Sequence, residues 1–208
     1  MKRKILPLFI ILLGYNVAHA QLKSYKSEAD PLNMISFQSD GLIEDIIGIG
    51  SKISANIRIS PDDVDNQEGG IIKFDLSDLV SGNAERDKEM KGPNYLDVKN
   101  YGIAQFKVLS ISAHNVHKLE NAKKIATHVT GDFTLHGVTK TLMIPVTFVY
   151  FTKSEQTKKR AKGNLLDVFS VFKIKLSDYG IKVPELFSYR INEEIEIKVN
   201  VLLSEEEK

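Results

Sequence analysis

The chain has 208 residues, with 28 Lys and Arg against 27 Asp and Glu, and no cysteine. A near-neutral balance leaves no basic footprint for nucleic acid and no strong pull towards an anionic membrane. Without cysteine there is no disulfide, no thiol catalysis and no thiolate metal site.

Residues 1–20 read as an export signal. Lys2-Arg3-Lys4 is a positive start, Ile5 to Tyr15 is apolar apart from Pro7 and Gly14, and Ala18-His19-Ala20 is a small-x-small cleavage site before Gln21. The apolar run is too short to span a bilayer comfortably. The expectation is a periplasmic or secreted protein with no transmembrane segment after cleavage. The mature chain then has about 188 residues, a size that suits one domain. Losing Lys2, Arg3 and Lys4 from a formal +1 leaves −2.

Gln21 to Leu32 is polar and reads as a loosely held leader, with the folded domain covering 33–208. From there the pattern alternates. Ile53, Ala55, Ile57 and Ile59 share one face of a strand that Pro61-Asp62-Asp63 turns. Asp62-Asp63-Val64-Asp65-Asn66 resembles the start of a calcium loop. Its sixth position is Glu68 and its twelfth is Phe74, so it reads as a hairpin turn. Gly48-Ile49-Gly50 lacks the third glycine and the following helix of a nucleotide loop.

Gly69-Gly70 opens another strand towards Leu76. Ser81 to Asn94 is charged and closed by Gly92-Pro93, which predicts a short surface helix. Strands resume at Ala104, where Ala104, Phe106 and Val108 alternate with polar residues. His114 and His117 lack the helical spacing and the glutamate of a zincin site and read as loop histidines. Val129, Phe133 and Leu135 share a face, and His136-Gly137 marks a tight turn. The next strand is apolar on both faces: Leu142, Ile144, Val146 and Phe148 against Met143, Val149 and Phe151. Such a strand is covered outside or offers a contact surface.

Leu165 to Leu176 is a further strand containing Phe172 and Ile174, ending at Ser177-Asp178-Tyr179-Gly180. The last strand places Ile195, Ile197, Val199, Val201 and Leu203 inside, and Ser204 to Lys208 reads as a solvated acidic tail. About eight strands with little helix predict an all-β sandwich or barrel. Eight strands closed on themselves leave room for packed side chains or one slender ligand, and pattern does not choose between them.

Several landmarks in order resemble the YceI-like family. They are Arg86-Asp87, then Tyr95-Leu96-Asp97, Tyr101 to Phe106, Gly131-Asp132-Phe133-Thr134-Leu135-His136-Gly137-Val138-Thr139-Lys140 and Asp178-Tyr179-Gly180-Ile181. Gly102 stands where that family usually has proline, Leu176 where many members have arginine, and Asn33 to Phe37 lacks a His-Ser pair common among isoprenoid binders. The resemblance implies an exported, eight-stranded antiparallel lipocalin-like barrel with a short helix across one end, holding a long-chain amphiphile such as a polyprenyl lipid or isoprenoid quinone.

The lining expected under that reading is Phe106, Val108, Val129, Phe133, Leu135, Leu142, Ile144, Val146, Phe148, Phe172, Ile174, Ile197 and Val199. Arg86, Asp87, Tyr95 and Asp178 are expected at the barrel mouth. Each buried methylene contributes about 0.8 kcal/mol, so about ten would drive tight binding before ordering costs. The alternative is a solid-packed barrel that works through its surface, with an envelope protein or a second copy of the chain as partner. No metal or cofactor is implied, and no nucleophile elbow or carboxylate pair announces an enzyme.

Overall fold

The computed structural model describes residues 21–27, 30–112 and 118–206. The expected export signal and the His114 to His117 pair lie outside these residues.

Among the described residues, ten strand segments make one antiparallel sheet. They are β1 (Lys23–Ser27), β2 (Met34–Asp40), β3 (Asp45–Gly50), β4 (Ile53–Ser60), β5 (Asp63–Asp75), β6 (Ile103–Ser112), β7 (Lys124–Leu135), β8 (Val138–Phe151), β9 (Leu165–Lys175) and β10 (Glu194–Glu205). The ring runs β1-β4-β5-β6-β7-β8-β9-β10 and closes where β1 pairs β10. β2 follows β1 along the same strand, β10, and β3 pairs β2 and leads into β4. The pairs β1–β2 and β3–β4 therefore act as two interrupted wall strands, and the barrel has eight. Closure of this kind satisfies backbone groups that an open sheet would leave at its edges.

Two expectations need correction. The supposed loose leader contains β1, whose Tyr25 is fully buried and whose backbone pairs β4 and β10. Ladder bonds and one inward tyrosine hold this segment, though its side chains are otherwise polar. The supposed solvated tail begins inside β10, with Ser204 buried opposite Leu165.

The two ends of the barrel differ. At one end Tyr25, Ile59, Leu166 and Leu203 are completely buried, forming a packed floor. The other end is covered by the connection from β5 to β6. There α1 (Ala84–Lys91) is capped by Asn83, whose side chain accepts from the Arg86 amide at 3.1 Å. Gly92 and Pro93 end it, as the sequence predicts. α1 buries none of its own residues fully, and the segment after it turns Tyr95 and Leu96 inward.

The wall splits between β8 and β9. Their pairing stops at Val146 opposite Ser170. The next residue, Pro145, has no N–H to donate, and its carbonyl accepts from the Ser170 hydroxyl at 2.7 Å. Beyond this point Tyr179 and Ile181, in the corner after β9, are almost fully buried against the hydrophobic core.

Candidate ligand-binding site

Above the packed floor lies a cavity of about 250 Å³, at the small end of ligand pockets. Among the described residues, Arg86 and Glu89 are the only charged side chains along it. Ser39, Gln105, Ser170 and Tyr95 are its other polar members, and the rest of the lining is apolar.

Three glycines help make this space. Gly48, Gly50 and Gly131 are buried, and a Cβ on Gly48 or Gly131 would overlap the ring of Phe37 or Phe106. A Cβ on Gly50 would come within 2.5 Å of the Phe74 ring. Each ring lies against a glycine on the wall instead of filling the lumen. The Gly48-Ile49-Gly50 run thus serves two aromatic rings. Its signal in the sequence is the inward alternation Ile46, Gly48, Gly50.

All the lining positions expected from the sequence border the cavity except Leu142. Leu142 keeps its inward register opposite Gly131, but its strand has by then parted from β9, and it is only partly buried against the core. The sequence reading missed Ile35, Phe37, Ile46, Met90, Ile181 and Ile191, which also border the cavity. Ile35 and Phe37 alternate in β2 and were visible in principle. Met90, Ile181 and Ile191 come from the cap and loops, where no period marks an inward face.

The expected mouth residues divide. Arg86 and Tyr95 border the cavity, while Asp87 and Asp178 do not. Arg86 and Asp87 do not lock directly together, because Ser81 joins them. Arg86 Nε donates to Ser81 Oγ at 2.9 Å and Nη2 donates to the Ser81 carbonyl at 3.1 Å. Asp87 Oδ1 accepts from the Ser81 amide at 2.7 Å and from its hydroxyl at 2.5 Å. Burial acts to raise the Asp87 pKa, but the Ser81 hydrogen bonds, Lys91 and Arg86 outweigh it and hold the carboxyl below its ordinary value. Arg86 Nη1 faces Glu44 at 3.4 Å, and Arg190 reaches the other Glu44 oxygen at 3.6 Å. Asp178 is exposed, third in a 3-10 turn (Leu176–Tyr179) whose cap position is Lys175. Burial, with Asp178 beside it, pushes the neighbouring Tyr179 hydroxyl up to about 12.

Among the described residues no helix is long and apolar enough to cross a membrane. Residues 21–203 match the model of the YceI-like domain. A UPF0312 protein of Pseudomonas putida strain W619 is 34% identical over 133 residues, which cover 63% of this chain and 62% of that protein. The chain thus spans less than two thirds of the relative's length. The crystal structure of BcnA from Burkholderia cenocepacia matches with a TM-score of 0.65 at 20% identity, over 82% of this chain and 95% of that one. A polyisoprenoid-binding domain from Saccharophagus degradans, implicated in plant cell wall breakdown, matches with a TM-score of 0.65 at 15% identity, over 89% and 100%. At these identities the two structures speak to the fold: a closed eight-stranded antiparallel barrel.

Proposed function

The chain belongs to the YceI-like domain family, and from that premise we propose that it is an exported carrier holding a long-chain isoprenoid-type amphiphile in its barrel. The observation that carries the reading is the cavity itself: a closed floor, an apolar wall and charge only near the capped end. A flexible apolar tail loses contact with water along such a wall, and each buried methylene is worth about 0.8 kcal/mol. The head of the molecule then sits near Arg86, Glu89 and Tyr95. Binding is non-covalent. Export to the periplasm or beyond rests on the signal-like residues 1–20, and the polyisoprenoid-binding neighbour lends the cargo class its support.

A barrel packed solid would leave no such space, so the cavity weighs against the surface-only alternative. Two variants test the site. Ala104→Phe adds a ring to the lining at the level of Phe74, and Val146→Asp puts a charge in its middle. Both are expected to fold, by circular dichroism, and to lose a dansyl-labelled farnesol probe by at least about ten-fold. Folded variants that bind the probe like wild type would overturn the site.

A further inference from the structure

The described residues with large exposed apolar side chains are not spread evenly. Leu109 and Met143 stand singly on the barrel wall and Leu32 in the turn before β2, while Ile47, Ile49, Val80, Tyr101 and Ile103, at 40–52% exposed, lie along β3 and the connection into β6. Leu42 and Ile43, at 88% and 65% exposed, form the turn between β2 and β3, and Leu186 and Tyr189, at 72% and 40%, lie in the connection between β9 and β10. The two loops are joined by the Leu42 amide, which donates to the Tyr189 carbonyl at 2.9 Å, and the Gly41 amide closes the β2–β3 turn on the Glu44 carbonyl at 3.1 Å. A side chain at Gly41 would overlap the Arg190 carbonyl, so the loops meet backbone to backbone. Ser39, Ile46 and Ile191, a few residues from these tips, border the cavity. The tips are therefore the outer ends of the cavity wall.

We propose that the capped end of the barrel docks on the surface of a lipid bilayer, with Leu42, Ile43, Leu186 and Tyr189 inserted among the lipids. This rests on the carrier reading above. A cargo suited to so apolar a wall resides in membranes, and a mouth seated in the bilayer spares its tail a passage through water. Contiguous apolar side chains at one end of a folded domain mark such a contact. Charge at the tips offers no pull towards an anionic surface: Glu44 lies between Arg86 and Arg190, Tyr189 lies 6.0 Å below the Arg190 guanidinium, and Asp45, Asp178, Glu185 and Glu193 outnumber Lys182 around them. Docking is thus driven by apolar insertion and depends little on anionic lipid or salt.

The test uses the mature chain with phosphatidylcholine vesicles in a flotation assay, and binding of dansyl-labelled farnesol in vesicle-free solution as a separate readout. The double variant Leu42→Asp, Leu186→Asp lies outside the cavity lining. It is expected to cut vesicle association at least about ten-fold and leave probe binding unchanged, while Met143→Asp on the barrel wall changes neither. Wild type that does not float, or a double variant that floats like wild type, overturns the docking. Self-association in sedimentation that the double variant abolishes, without vesicle binding, makes a second copy the occupant and also overturns it. Vesicle binding through the tips by a protein that ignores the probe upholds the docking and sinks the carrier reading alone.

Discussion

His136 Nδ1 lies 3.1 Å from the carbonyl oxygen of Tyr179, 43 residues further along the chain. The contact ties the β7–β8 turn to the corner that follows β9. Tyr101 joins them, its ring edge-on to His136 at 4.7 Å. Tyr179 in turn packs edge-on against Phe133, with ring centres 5.5 Å apart. Three stretches that carry the family resemblance thus meet at one point beside the place where β8 and β9 part.

The turn at this junction tolerates little. His136 and Gly137 have φ of 50° and 75°, the left-handed pair of a two-residue hairpin turn. A Cβ on Gly137 would come within 2.6 Å of Tyr101 Cε1. Gly137→Val is expected to cost about 1–3 kcal/mol in urea unfolding. His136→Ala is expected to cost about 0.5–1.5 kcal/mol through the lost hydrogen bond. An unchanged midpoint and slope for both variants would remove this junction from the account.

Gly131 makes a different prediction, about binding more than stability. Its Cα lies where the Phe106 ring covers the wall, so a methyl group there pushes the ring towards the lumen. Gly131→Ala is expected to fold and to weaken probe binding by about ten-fold. Fluorescence titration with the dansyl probe measures it. Unchanged affinity in the folded variant would show that the ring has room elsewhere and that the glycine does not create the cavity.

Asp78 links stability to pH. Its carboxylate accepts from the amides of Ser51 at 2.6 Å and Lys52 at 2.9 Å, pinning the bend where β3 gives way to β4. The Ser51 amide is the largest cause holding its pKa below the ordinary value; burial opposes it, and the Lys52 amide adds to the lowering. A folded-state pKa below the unfolded one gives stability present above the unfolded value and lost as pH falls through the folded one. Asp78→Asn is therefore expected to cost about 1–2 kcal/mol at neutral pH. The gap from wild type should close as pH falls below about 3.9. Melting temperatures of the two proteins across pH check this, and a constant gap down to the acid limit would refute it.

Much of the barrel was legible because one-sided burial prints itself on a strand every second residue. Ile195, Ile197, Val199 and Val201 alternate with polar residues up to the buried Leu202, and the inward set found there faces the core and cavity. β1 was not legible. Lys23-Ser24-Tyr25-Lys26-Ser27 offers one large apolar side chain, and what fixes it is pairing on both edges, which composition does not record. The site followed the same division. Wall positions such as Val129 and Phe172 were readable from alternation. Leu142 was misplaced because the period already runs before Pro145, in the part of β8 that has parted from β9. Arg86 was expected at the mouth, but its ionic partner Glu44, 42 residues away and brought near by the closed ring, was not legible.

The central claim is that the cavity holds a long-chain amphiphile. Native mass spectrometry of the mature protein isolated from its own host's envelope, with organic extraction of bound material, tests it most directly. The account predicts a one-to-one adduct that extraction releases as an isoprenoid-type lipid, absent from Ala104→Phe. A bare protein mass, unchanged after incubation with polyprenyl lipids and isoprenoid quinones, would contradict it.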